Sequence, residues 1–394
     1  MKTISAFLFL AASLPALYAQ PRAGKAHEVR FEKHTLTRDF VAEGATAADV
    51  NKDGKMDVLA GAYWFEAPTW KQHELAEPKK FEYDKGYSDS FLDYAMDVNQ
   101  DGWVDLIRID WPGKAATWHE NPKNKPGHWR VHPIHSSVGN ESPMLVDIDG
   151  DGRLDLLAND PNAKQVLWLS PPRKKGETEW TKYVISSDEK LGTHMYTHGI
   201  GYGDINGDGH KDVIIKSGWW QGTGNPLQEN WTFHPANFGE DCAQMYVMDL
   251  NGDGLNDVLS SSAHKYGIWW HEQGRDSQGN PTWTEHEIHK AISQTHGLAL
   301  ADMNGDGHPD LITGKRYFAH MGKDPGANEP AVAYWFEYKP GKNPSWIPHE
   351  IDNDSGTGLQ VTVVDMNKDG LPDVVAGNKK GVHVFMQQKP KNRL

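Results

Sequence analysis

The nine residues DMNGDGHPD at 302–310 are one of seven near-copies in a chain of 394 residues. The others read DVNKDGKMD from Asp49, DVNQDGWVD from Asp97, DIDGDGRLD from Asp147, DINGDGHKD from Asp204, DLNGDGLND from Asp249 and DMNKDGLPD from Asp365. Successive starts lie 48, 50, 57, 45, 53 and 63 residues apart, the period of a unit that must stack on its neighbours to bury a core. Each copy offers side-chain oxygens at positions 1, 3, 5 and 9, a backbone carbonyl at 7 and Gly at 6 for the tight turn. That pattern suits a hard cation of Ca2+ size. The expected ligands are Asp49, Asn51, Asp53 and Asp57; Asp97, Asn99, Asp101 and Asp105; Asp147, Asp149, Asp151 and Asp155; Asp204, Asn206, Asp208 and Asp212; Asp249, Asn251, Asp253 and Asp257; Asp302, Asn304, Asp306 and Asp310; and Asp365, Asn367, Asp369 and Asp373.

A helix-flanked calcium loop would need a bidentate Glu at position 12, where this chain has Ala60, Arg108, Ala158, Ile215, Ser260, Thr313 and Ala376. The flanks are instead short β-type runs such as DVLAGAYW and DVIIKSGWW, so each loop joins two strands. Charge agrees with up to seven Ca2+: the 28 ligands comprise 22 Asp and 6 Asn, and seven divalent ions would offset the formal net charge of -14. The same acidity, 54 Asp+Glu against 40 Lys+Arg, argues against a nucleic-acid partner.

A third apolar run follows each loop (YWFE at 63, IWWHE at 268) and a fourth follows that (WKQHEL at 70, TWTEHEI at 282). Four strands per period, repeated seven times, predict an all-β, seven-bladed β-propeller with a Ca2+ loop in each four-stranded blade. The last blade lacks a fourth strand. The unpaired run HEVRFEKHTL at 27–36 is of the right type to complete it and close the ring. One domain is therefore expected over 27–388, with a C-terminal tail at 389–394.

Lys2, the apolar run Ile4 to Leu17 and the small Ala19 follow the order of a secretory signal peptide, read here as residues 1–19. The apolar run is too short to span a bilayer, so no membrane span is expected in the mature chain and the protein should be secreted or periplasmic. The single Cys, Cys242, excludes a disulfide framework.

The loops and their strand flanks resemble the FG-GAP or VCBS-type repeat of integrin α-subunit propellers and many secreted bacterial proteins. The resemblance spans residues 27–388 and is specific for the fold. It implies structural metals and leaves function open, because propellers host adhesion, scaffolding and catalysis alike.

With the metal loops at one rim, function is expected at the other, where strand one begins and strand two ends. THGIGYGDINGDG and THGLALADMNGDG place His198 and His296 six residues before their loops, each followed by Gly, which would leave room for a ligand. Either imidazole could act as general acid or base, or the pair could bind an additional divalent metal. The segment from Thr313 adds Lys315, Arg316, Tyr317 and His320. Lys216, Trp219, Gln244, Tyr94, Asp93 and Arg108 are candidates for substrate binding, with Trp219 and Trp220 either platforms for sugar stacking or blade-core aromatics. Asp93, Asp110 or Asp160 would serve a paired-carboxylate hydrolysis.

QTHGLALADMNGDGHPDLITGKRYFAH also resembles a blade of propellers related to fungal aldos-2-ulose dehydratase. That likeness implies β-elimination on a keto-sugar or oxidised sugar, with His198, His296, Lys315, Arg316, Tyr317 and His320 in matching motifs. Two readings stay open: a carbon-oxygen lyase acting on carbohydrate or a small molecule, and an integrin-like module binding a glycan or protein.

Overall fold

A computed structural model describes residues 28–389, so the signal-peptide expectation at 1–19 and nearly all of the expected tail lie outside the described residues. Strands account for nearly all the regular structure, and the sole helical element among the described residues is a 3-10 turn at Ala319–Gly322. The first unit shows the plan: Thr46–Ala48, Asp57–Ala60, Tyr63–Glu66 and Lys71–Glu74 pair antiparallel in sequence order. Short apolar runs on either side of a metal loop can only meet as a hairpin, and the next aromatic run extends the sheet outward.

The strand order divides into seven such four-stranded units. The 17-residue strand Arg130–Val146 is outermost in the second unit and innermost in the third, pairing with Lys114–Glu120 through its first half and with Asp155–Asp160 through its second. The fourth and fifth units join through a parallel contact of their inner strands, Ile200 opposite Gln244. The sixth is Leu298–Ala301, Asp310–Gly314, Ala333–Lys339 and Ser345–Asp352. In the last, Phe31–Thr37 pairs antiparallel with Gly381–Gln387, so the N-terminal strand supplies the missing edge as expected.

Apolar residues fill the space between adjacent units. Trp118, Trp168, Trp220, Phe65 and Phe385 are all nearly fully buried there. The outer strands carry a repeated device. Trp64, Trp118, Trp219, Trp270 and Trp335 stack face to face on His73, His132, His234, His286 and His349, with ring centroids 4.2 to 4.4 Å apart. In four units the same His faces a Glu that accepts the amide of the loop Asn, as in His73 to Glu66 (2.7 Å) and Asn51 to Glu66 (3.3 Å). Outer-strand His residues thus brace the loops from behind. Trp219 and Trp220 belong to this packing, 4% and 1% exposed, as blade-core aromatics and not as sugar platforms.

Candidate functional site

The seven loops share one backbone scheme. Asp at position 1 accepts the N–H of the position-6 Gly in every copy, from Gly54 to Gly370. Those glycines have φ near +90°, which any side chain would strain. Asp at position 9 is buried and accepts the N–H of position 2 in all seven. Burial, then neighbouring carboxylates after opposing backbone hydrogen bonds, pushes these seven carboxyls up to about 6 (Asp57, Asp257, Asp373) or about 7 (Asp105, Asp155, Asp212, Asp310). Asp49 Oδ1 and Asp155 Oδ1 are buried with no hydrogen-bond partner, and Asp147, Asp149 and Asp155 bring oxygens within 4.8 Å of one another. Crowded, partly unpaired oxygen donors of this kind fit a hard cation.

The opposite rim gathers side chains from five units. Glu43, His198 and His296 each precede an inner strand, Glu141 lies within the long strand Arg130–Val146, and His264, Arg316 and His320 follow second strands. Arg316 is 1% exposed; Nη1 donates to Glu141 Oε2 at 2.7 Å and Nε to Glu43 Oε2 at 3.3 Å. Tyr87 and Phe91 cover the guanidinium, 5.0 and 5.4 Å from their ring centroids. His198 lies 3.5 Å from Glu141 and turns Nδ1 to the Tyr196 carbonyl at 3.0 Å. His296 turns Nδ1 to the Gln294 carbonyl at 3.3 Å. His264 and His320 share one oxygen of Asp324, at 3.3 and 2.8 Å. The four imidazoles are mutual neighbours: His198 to His264 4.5 Å, His198 to His296 5.6 Å, and His264 to His320 4.6 Å between centroids.

Charge follows from this packing. Burial alone would raise the Glu141 carboxyl, but His198 and Arg316 outweigh it and hold it well below the usual carboxylate range. Burial lowers His198, but Glu141 outweighs it and the net shift is upward. Burial and then Arg316 hold His296 well below the usual imidazole range, so it is neutral. Asp324 is drawn down because hydrogen bonds from His264 and His320 overcome its burial.

The expected site residues divide. His198, His296, Arg316 and His320 come together. Lys315 does not: it is 1% exposed and its Nζ is tied to the Gly326 and Glu329 carbonyls, anchoring the loop that carries His320. Arg316 is already matched by two carboxylates, so it is not free to hold an enolate. Tyr317 packs beside Tyr83 with Lys380 4.8 Å over its ring. Lys216 pairs with Asp241, and Arg108 with Asp89. Gln244 accepts the Leu298 N–H, and Tyr94 donates to the Pro143 carbonyl. Asp93 accepts from Gly61 N and Ser90 Oγ, while Asp160 accepts from His135, so neither is a free hydrolytic carboxylate. The glycines after the two histidines serve the backbone and leave no ligand space: a Cβ on Gly199 would stand 2.2 Å from Cys242 Sγ, and one on Gly297 3.1 Å from Gln360 N.

Glu43, Glu141 and His264, which the sequence places among the polar strand ends of this rim, complete the cluster with Asp324, which was not singled out from sequence. Exposed aromatics frame it: Tyr83 and Tyr196 are each 45% exposed, and Trp111 links Tyr196 to Tyr87 through edge contacts at 6.3 and 4.9 Å.

The FG-GAP-like repeat family matches residues 97–158, 147–215 and 249–313, each match running from one nine-residue loop through to the next unit. The chain carries FG-GAP-like repeats on a β-propeller fold. Human integrin alpha-7 is 34% identical to this propeller over 85 residues, which are 21% of the chain and only 7% of the integrin's length. BBS1N, solved in complex with ARL6DN, aligns over 93% of the propeller and 98% of its own chain at 9% identity, TM-score 0.52. An Agrocybe aegerita lectin recognising non-reducing terminal N-acetylglucosamine aligns over 92% and 86% at 16% identity, TM-score 0.45. At 9% identity the BBS1N likeness speaks for the fold alone. No helix among the described residues is long and apolar enough to cross a membrane.

Proposed function

We propose that the protein is an exported, calcium-stabilised propeller that takes a carbohydrate at the rim opposite its metal loops and acts on it as a carbon-oxygen lyase. The observation that carries this reading is the His320 and Asp324 pair, 2.8 Å apart, at the edge of a histidine cluster framed by Tyr83 and Tyr196. The Asp324 carboxylate orients the His320 ring and favours its taking a proton, and the His320 side chain is 38% exposed. Exposed tyrosines suit the apolar faces of a sugar ring. His320 removes the proton beside a carbonyl or carboxylate. Its electron pair becomes the new C=C bond as the β C–O bond breaks, and the leaving oxygen departs with a proton from solvent. The enolate oxygen faces the imidazole cluster, which meets it with N–H donors or a bound cation.

The experiment is ultraviolet absorbance of the unsaturated product, over a panel of keto-sugars and uronic-acid glycans, with the Ca2+-loaded protein and His320→Gln. A signal that the variant loses at unchanged melting temperature is the expected result. Glycan binding without turnover is the second reading. It is favoured by the burial of His198 and His296, 3% and 1% exposed, which leaves His264 and His320 as the imidazoles an entering ligand meets first. No absorbance on any substrate, with saturable binding to one of them, would establish it.

A further inference from the structure

We propose that His198, His264 and His296 form a three-imidazole site for one first-row transition-metal dication of the Zn2+ class, separate in place and chemistry from the Ca2+ loops. The site goes beyond the lyase reading, because it would exist whether the rim turns substrate over or only binds it.

One nitrogen from each of the three rings lies within 4.8 Å of the other two. Geometry then selects which nitrogens these are. His198 and His296 have Nδ1 occupied by backbone carbonyls two residues upstream, Tyr196 and Gln294; His296 Nε2 is buried with no hydrogen-bond partner, and His198 Nε2 faces only Glu141 Oε2, at 3.5 Å. His264 directs Nδ1 to Asp324, leaving Nε2. An imidazole whose Nδ1 hydrogen is held by a carbonyl or carboxylate presents Nε2 as a fixed lone pair, the arrangement second-shell partners impose on metal-bound histidines. A buried polar atom without a partner costs about 1–3 kcal/mol, and His296 Nε2 is such an atom at the centre of this cluster. The rings stand 64 to 85° to one another, so stacking does not account for their approach.

Three imidazole nitrogens favour a borderline cation over Ca2+ or Mg2+, which take oxygen. A tetrahedral ion with metal–nitrogen bonds of about 2.0–2.1 Å would hold the nitrogens about 3.4 Å apart, so binding draws the rings together by up to about 1.4 Å. Glu141 Oε2 is hydrogen-bonded to Arg316 at 2.7 Å and stands 3.5 Å from His198 Nε2, so the ion would have to displace that ion pair from His198; a fourth position is left toward His320, as in sites that bind water or substrate oxygen. The neighbouring group of His264, His320 and Asp324 is the rival site. Its atoms already satisfy one another at 2.8 and 3.3 Å and are partly exposed, so nothing there asks for an ion.

The test uses the full mature protein in saturating Ca2+, stripped with 1,10-phenanthroline and titrated with Co2+. The expected result is one Co2+ bound per chain, with the visible absorption bands of a tetrahedral nitrogen site, displaced by Zn2+ and indifferent to further Ca2+. His198→Gln and His296→Gln should each weaken binding at least 100-fold, whereas His320→Gln should leave it within a few-fold. X-ray absorption on the Co2+-loaded wild-type protein should count three imidazole nitrogens, a reading that stands even if a variant misfolds. No stoichiometric Co2+ in the wild type, binding that survives both substitutions, or loss on His320→Gln alone would overturn the site. Bound metal with no elimination on any substrate would sink the lyase reading and keep the site. Elimination by protein that binds no stoichiometric Co2+ would do the reverse.

Discussion

Nη1 of Arg316, just past the second strand of the sixth unit, donates to Oε2 of Glu141 at the head of the third unit's inner strand, 2.7 Å away and 175 residues earlier in the chain. The bond ties the two sides of the ring across its mouth, and Glu43 of the first unit makes the third corner at 3.3 Å. Because both partners are buried, the pair is unforgiving of a single truncation. Glu141→Ala leaves a buried guanidinium short of one charge and should destabilise the protein by about 3–5 kcal/mol in urea denaturation. A loss under 1 kcal/mol would mean that water or Glu43 replaces the bond.

Gly199→Ala should be among the costliest one-carbon changes in the chain. The residue has φ +81°, and its new Cβ would meet Cys242 Sγ at 2.2 Å. Backbone strain and overpacking together should cost about 2–4 kcal/mol by urea denaturation. Cys242→Ala in the same chain should recover the steric share and leave the strain.

Asp93 gives a pH dependence of known sign. Burial is the main reason its carboxyl is pushed up to about 6; Ser90, Gly61 and Arg108 pull the other way, and Asp89 adds to the rise. The unfolded group titrates near ~3.9, so the folded state holds the proton more tightly. The stability it contributes is therefore fully present below about pH 4 and is lost as the pH rises through about 6. Two units correspond to about 3 kcal/mol. In saturating Ca2+, Asp93→Asn should flatten the stability profile over that window relative to the parent chain. Parallel profiles would show that Asp93 does not titrate there.

Removing calcium should cost stability at every unit at once. Each loop that loses an ion held at a hundredfold excess over its Kd forfeits about 2.7 kcal/mol, so chelation should lower the melting temperature steeply. Readdition of Ca2+ should restore it, and Mg2+ should not, because the loops offer more oxygens than a compact octahedral ion accepts. An unchanged melting temperature in excess chelator would refute the calcium assignment.

The nine-residue loop made the sheet plan legible, since spacing, turn glycine and alternating aromatics all depend on local order. The rim was half legible. Glu43, Glu141, His198 and His296 each stand six residues before the first Asp of a loop, and that shared register, read across all units instead of two, marks four of the converging groups. Phe91, Ala243 and Leu359 hold the same position in the other three units. What local order does not carry is pairing across the ring. Arg316 looked like a free cation because its partners lie 175 and 273 residues away. His264 and Asp324 come into reach through an irregular segment in which Phe318, His320 and Met321 all take positive φ, a path no periodicity announces.

The closure of the ring by Phe31–Thr37 also sets how the molecule bears load. Phe31 sits opposite Gln387, so the two strands present their outer ends side by side, and Gln388 N donates to the Arg30 carbonyl at 2.8 Å at that end. Tension applied through both ends of the described chain would break this ladder one hydrogen bond at a time, a peeling that proceeds at low force. The same tension entering through surface loops of two other units would have to shear whole strands past each other. The clasp that completes the ring is thus its mechanical fuse: a tether pulled from both ends would open the seventh unit first and leave the other six to follow.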